Sequence, residues 1–98
     1  MKYINKQAAL ITLSAASNEI YTPGTDAQIR AFTIHNPTAE PIDIEVSVGA
    51  VKLLTKTVTA NATEVLSALF NQQLKKGAAL SMTGTGANVM LTVVEITE

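Results

Sequence analysis

The sequence has no cysteine, no tryptophan and a single histidine among its 98 residues. Without cysteine, neither a disulfide framework nor a thiolate site can form. A zinc site takes three or four Cys, His or carboxylate ligands, and His35, followed by Asn36-Pro37, has no such partners nearby in sequence. No serine lies in a nucleophile elbow. We therefore expect no enzymatic activity, no bound metal and no cofactor.

Aromatic residues, charge and long apolar runs are also scarce. The aromatics are Tyr3, Tyr21, Phe32 and Phe70, which predicts a thin core that oligomerisation often supplements. The net charge is −1, and the seven basic residues are scattered, so no stripe is available to neutralise nucleic-acid phosphates. No apolar run approaches the roughly 20 residues of a membrane helix. We expect neither nucleic acid nor membrane as a partner.

Turn signals interrupt the chain at intervals of about eight to twelve residues, a spacing typical of sandwiches and barrels. The strongest are 23–26, with adjacent Pro and Gly, and 36–41, with two prolines. The predicted fold is all-β, a two-sheet antiparallel β-sandwich of about seven or eight strands, with the jelly roll as one form of it. Residues 1–7 are predicted to be a flexible N-terminal arm, and residues 8–98 a single β-sandwich domain.

Three segments carry the strand prediction. Pro41–Gly49 alternates apolar and polar residues with period two. Asp26–His35 and Ala87–Thr97 are apolar on both faces, which predicts central strands and an outer face that meets a neighbour. In the first of these two, strict alternation would put Arg30 on the same face as Phe32. Weaker strands are predicted at Ala8–Leu13, Glu19–Thr22, Val51–Thr55, Lys56–Thr59 and Leu80–Thr83.

Three other segments allow two interpretations each. In Glu64–Lys76 the apolar spacing fits a helical turn or a strand over Thr63–Leu69, of which the strand is preferred. Residues 84–86, Gly-Thr-Gly, match the start of a phosphate-binding loop, but a strand follows, so a hairpin turn is expected. Asp43 and Glu45 are too few for calcium and are expected to form a solvated face.

The order of these motifs resembles a known group of proteins. Ile20–Gly24 and Ala27–Asn36 are followed by the alternating strand, then by residues 60–64 and by Leu74–Leu80, which contains Lys-Lys-Gly. This order, over residues 8–98, resembles small β-sandwich virion proteins of tailed bacteriophages, such as capsid decoration (cement) proteins and head–tail or tail accessory proteins.

The resemblance implies a phage structural protein that binds the capsid surface and stabilises the shell. It implies a homo-oligomer, dimer or trimer, bound to the major capsid protein or another virion protein after synthesis in the host cytoplasm. The N-terminal arm could dock on that partner and become ordered there, or fray. Its docking residues would be Lys2, Tyr3, Ile4, Asn5 and Lys6.

Two alternatives remain open. The first is a neck, tail or fibre component of the same particle. The second is a carbohydrate- or ligand-binding module, which would need exposed aromatic platforms, with Tyr3 and Tyr21 as the candidates.

Overall fold

The computed structural model describes residues 1–14 and 17–97, and 61% of the structure is β-strand. One short 3-10 turn, Ser67–Leu69, is the helical element of the described residues. The predicted all-β fold is confirmed, with nine strands in place of seven or eight. The strands are β1 Lys2–Thr12, β2 Asn18–Tyr21, β3 Ala27–His35, β4 Ile42–Val48, β5 Val51–Val58, β6 Thr63–Val65, β7 Gln73–Leu74, β8 Leu80–Thr83 and β9 Asn88–Thr97.

The strands form two antiparallel sheets. Sheet I has the order β1-β9-β3-β6, with β7 also paired to β3, and sheet II has the order β2-β8-β4-β5. The pairings β4–β5, β3–β6, β2–β8 and β1–β9 are nested within one another along the chain. A chain that folds back on itself in this way and wraps into two sheets is a jelly roll.

The core lies between the sheets and is built from the inward-facing residues of the central strands. In β4 the predicted alternation is confirmed, because Ile42, Ile44 and Val46 are buried while Asp43 lies on the outer face. The strands β3 and β9 are central in sheet I, as their two-sided apolar pattern predicts. Phe32 is the largest fully buried side chain.

The predicted facing of β3 is wrong for Ile29 and Arg30, because the strand contains a β-bulge. The register with β9 shifts between Ile29 and Ala31, so Arg30 is an extra residue on the strand. As a result Ile29 and Phe32 both point into the core, whereas strict alternation would place them on opposite faces. Arg30 is exposed and does not share the buried face of Phe32.

The segment that joins β8 to β9 is a connection between sheets and not the predicted hairpin turn. β8 belongs to sheet II and β9 to sheet I. Gly84 adopts a φ of +140°, and a Cβ at this position would lie 2.7 Å from Cγ2 of Ile44. The glycine is therefore required by both backbone conformation and space.

Three predicted boundaries also change. Residues 63–76 form two short strands and a 3-10 turn, so the predicted strand Thr63–Leu69 ends at Val65, where the chain leaves β3. The two predicted strands Val51–Thr55 and Lys56–Thr59 are one strand, β5. β1 begins at Lys2 and not at Ala8, because residues 2–7 pair with β9. Of the predicted domain 8–98, residues 15, 16 and 98 lie outside the described residues.

Candidate functional site: the outer face of sheet I

Chemistry-bearing side chains are scattered in the structure. Residues 1–14 and 17–97 contain no group of three or more His, Cys, Asp or Glu side chains placed to hold a metal ion. Nδ1 of His35 lies 2.8 Å from the Thr63 hydroxyl, and Asp43 accepts a hydrogen bond of 2.6 Å from the Thr57 hydroxyl. These contacts tie neighbouring strands together, so His35 and Asp43 each have a structural partner.

No helix within the described part of the chain has the length and apolar character needed to span a membrane.

The outer face of sheet I carries a row of three exposed apolar side chains and one threonine across its strands. Leu10 of β1 lies opposite Met90 of β9, Met90 lies opposite Thr33 of β3, and Thr33 lies opposite Val65 of β6. Leu10 is 64% exposed, Val65 54% and Met90 46%. We call these four residues, Leu10, Met90, Thr33 and Val65, the apolar row. It lies on one of the two faces of β9 and β3, and the two-sided sequence pattern predicts that an outer face of these strands meets a neighbour.

The outer face of sheet II differs in chemistry. Its strands present Glu19, Asp43 and Glu45, and Glu45 forms a 3.2 Å ion pair with Lys52 of β5. Hydroxyl side chains fill the positions between these charges, at Ser47, Thr55, Thr57, Ser81 and Thr83. A sandwich with one polar outer face and one partly apolar outer face has a preferred side for contact with another macromolecule.

Two shallow grooves flank Leu10. One, of about 310 Å³, lies at the end of β1 and is lined by Leu10, Ile11, Thr12 and Asn88. The other, of about 170 Å³, lies on the sheet and is lined by Leu10, Thr33, His35, Asn88, Val89 and Met90. Leu10 therefore stands as a ridge between two depressions.

The residues predicted to form a docking arm lie in the N-terminal half of β1, and all five of them are exposed. Tyr3 is opposite Ile96 and Asn5 is opposite Val94, so both lie on the outer face of sheet I with the apolar row. Lys2, Ile4 and Lys6 lie on the other side of the strand. The structure thus places the five predicted docking residues on two different faces of β1. A docking role for these residues stays a prediction.

Lys6 and Tyr21 join the N-terminal half of β1 to sheet II. The Tyr21 hydroxyl donates a 2.6 Å hydrogen bond to Oε2 of Glu95, and Lys6 Nζ lies 3.4 Å from the same oxygen. Burial raises the pKa of the Tyr21 hydroxyl, and the hydrogen bond and negative charge of Glu95 raise it further. Tyr21 is buried, so it is not the exposed aromatic platform that a carbohydrate-binding module would need.

Sequence reasoning did not single out the residues of the apolar row. The signal for Met90 was present, since it lies on the second apolar face of a predicted central strand. Leu10 and Val65 could not be assigned to a face, because the bulge between Gln7 and Ala9 and the short length of β6 interrupt the alternation.

Comparison with known proteins gives a similar fold and no family. The chain is similar to the solved structure of a protein from a family of disulfide-linked pili that form Bacillus endospore appendages, with a TM-score of 0.60 and 12% identity over 97% of this chain and 88% of that chain. No protein-family model matches the sequence. No curated protein matches it either. At this identity the similarity establishes a common β-sandwich fold.

Proposed function

We propose that this chain is a structural subunit that assembles with copies of itself through non-covalent contacts. The observation that carries the proposal is the apolar row on the outer face of sheet I. Covering exposed apolar side chains removes their surface from water, which is the main favourable term in most protein association. Sheet II offers a smaller gain, because its exposed large apolar side chains, Val51 and Leu53, are confined to the edge strand β5.

The fold and the composition support a non-covalent assembly. The protein of similar fold belongs to a family of pili described as disulfide-linked. This chain has no cysteine among its 98 residues, so its copies cannot be joined by disulfides. Contacts between copies would then depend on apolar burial and hydrogen bonds, and many copies can add weak contacts into a stable structure.

Sedimentation velocity over a range of protein concentrations tests the proposal. We expect the sedimentation coefficient of the natural protein to rise with concentration and to be unchanged by reducing agent. Met90→Lys puts a charge in the apolar row and should return the protein to the monomer. Thr55→Lys, on the outer face of sheet II, is the matched control and should behave as the natural protein does. A natural protein that stays monomeric at its highest soluble concentration would overturn the proposal.

Decoration of a tailed-phage capsid is the more specific form of this proposal. It is supported by the motif order in the sequence, whereas the solved structure of similar fold belongs to a pilus family. In this form the chain is a dimer or trimer on the virion surface, in contact with the major capsid protein, and has no catalytic role. Electron microscopy of particles with and without the chain tests it. Density over the whole shell supports decoration, and density in one ring supports a neck or tail component.

A further inference from the structure

The smaller groove beside Leu10 has the features of a site for one aliphatic side chain. Its volume is about 170 Å³, below the roughly 300 Å³ at which pockets for small molecules begin. The surface of its lining is almost wholly apolar. It includes Leu10 and Met90, which are the members of the apolar row on β1 and β9. A compact apolar group matches this space in size and chemistry, whereas a drug-sized ligand is too large for it.

We infer that the occupant is Leu10 of a second copy of this chain, related to the first by a two-fold axis that passes beside residue 10. This inference rests on the proposed self-assembly and names its contact. A two-fold contact brings the same patch of both copies together, so a ridge must lie next to the groove that receives its counterpart. Leu10 meets this requirement because it forms one wall of the groove and also projects from it.

The surroundings of the groove permit two copies to meet without an electrostatic penalty. None of its six lining residues is Asp, Glu, Lys or Arg. Nδ1 of His35 is hydrogen-bonded to the Thr63 hydroxyl, and the Thr12 hydroxyl donates a 2.5 Å hydrogen bond to Oδ1 of Asn88. Both of these contacts lie within one copy, so Nδ1 of His35 and Oδ1 of Asn88 keep their partners when the face is covered.

The size of the face fits a weak contact between two copies. Three full strands about 4.8 Å apart, with β9 ten residues long at about 3.4 Å per residue, present on the order of 500 Å² per copy. Leu10 lies near the end of the edge strand β1, so two copies related by an axis beside it overlap over only part of this face. The pair would then bury less than about 1,000 Å² in total, which is the size of a weak association.

Leu10→Lys tests the contact in equilibrium sedimentation. We expect the dimer dissociation constant to rise about 100-fold, because a charge replaces a central buried anchor in both copies. Leu53→Lys is the matched control, since Leu53 is also an exposed leucine on an edge strand but lies on β5 of sheet II. It should change the constant less than about threefold. Circular dichroism and the melting temperature establish that both variants fold.

A single introduced cysteine tests the position of the axis. The chain has no cysteine of its own, so Leu10→Cys provides one thiol per copy. Sheets packed face to face lie about 10 Å apart, so two copies of residue 10 beside a two-fold axis are too far apart for a direct disulfide but within reach of a short bifunctional thiol reagent. We expect this reagent to give a covalent dimer, and Leu53→Cys to remain monomeric on a denaturing gel.

The outcomes separate this inference from the proposed function. If the natural protein assembles but Leu10→Lys assembles equally well, or Leu53→Cys forms the cross-link in place of Leu10→Cys, the two-fold contact is overturned and self-assembly stands. If the natural protein remains monomeric at every concentration, both are overturned.

Discussion

At the scale of single residues, Asn36 organises the connection between β3 and β4. Its side chain is fully buried, and Nδ2 donates to the carbonyl oxygens of Glu40 at 2.7 Å and Val58 at 3.0 Å. Its Oδ1 accepts hydrogen bonds from the backbone N–H and the hydroxyl of Thr38. One side chain thus satisfies backbone groups of the 36–41 turn and of β5 in sheet II.

Asn36→Ala should therefore destabilise the fold strongly. The substitution removes the Asn36 hydrogen bonds to the buried Val58 carbonyl and to the Thr38 N–H, whereas the Glu40 carbonyl keeps the Thr38 hydroxyl as a donor. Each unsatisfied buried group costs about 1–3 kcal/mol. We expect the free energy of unfolding, measured with urea, to fall by about 3 kcal/mol. Asn5→Ala, at an exposed position of β1, is the control and should change it by less than about 0.5 kcal/mol. A loss that small at Asn36 would contradict the assigned role.

Tyr21 should make the fold sensitive to alkaline pH. Its pKa is raised in the folded state by burial and by Glu95, so the folded protein holds this proton more tightly than the unfolded chain does. The stabilisation is complete below the unfolded pKa of about 10 and is lost as the pH rises above that value. Urea unfolding at pH 8 and pH 10.5 measures the loss, which should be larger in the natural protein than in Tyr21→Phe. Equal losses of stability in the two proteins would contradict this role of Tyr21.

At the scale of elements, β1 consists of two halves with different attachments. The second half is fixed in the core by Ala9 and by Leu13, which follows the strand. Residues 2–7 are exposed and are held by pairing with β9 and by the ion pair of Lys6 with Glu95. The bulge between Gln7 and Ala9 separates the two halves. Few buried contacts mean a low free energy of local opening.

Hydrogen exchange should reveal these two halves. Among amides that point toward β9, those of residues 2–6 should exchange faster than those of residues 9–12. Lys6→Ala should speed exchange in residues 2–6 further while changing global stability by less than about 1 kcal/mol, because Lys6 is half exposed. Lys2→Ala serves as the comparison. Uniform protection along β1 would show that the strand opens as one unit.

The edge strand β5 is protected on its inner side by a charge. Lys56 lies opposite the inward-facing Ile44, and its Nζ is 3.2 Å from Oε1 of Glu64 on β6. An inward-pointing lysine on an edge strand disfavours the addition of a further strand. The contact between copies is therefore expected on a sheet face and not along this edge.

At the scale of the whole molecule, assembly should appear as a concentration-dependent melting temperature. Because association stabilises the folded state, dilution should lower the melting temperature of the natural protein. Met90→Lys should show one melting temperature at all concentrations, whereas Thr55→Lys should follow the natural protein. Differential scanning calorimetry over a hundredfold range of concentration measures this. A constant melting temperature in the natural protein would contradict self-association.

Local patterns in the sequence determined the class of fold and most of its strands. The alternation in β4, the two-sided pattern of β9 and the Pro- and Gly-containing turns act within a few residues, so each can be recognised without knowledge of the rest of the chain. The absence of cysteine likewise excludes disulfides between copies of these 98 residues.

Only the tertiary structure decided which residues share a surface. The bulges at Arg30 and between Gln7 and Ala9 reverse the facing of side chains, and their positions depend on the partner strand β9. The apolar row joins Leu10 to Met90 and Val65 across four strands that are distant along the chain. Such a row exists only when the register of every pair is set, because a shift of one residue would place its members on the opposite face.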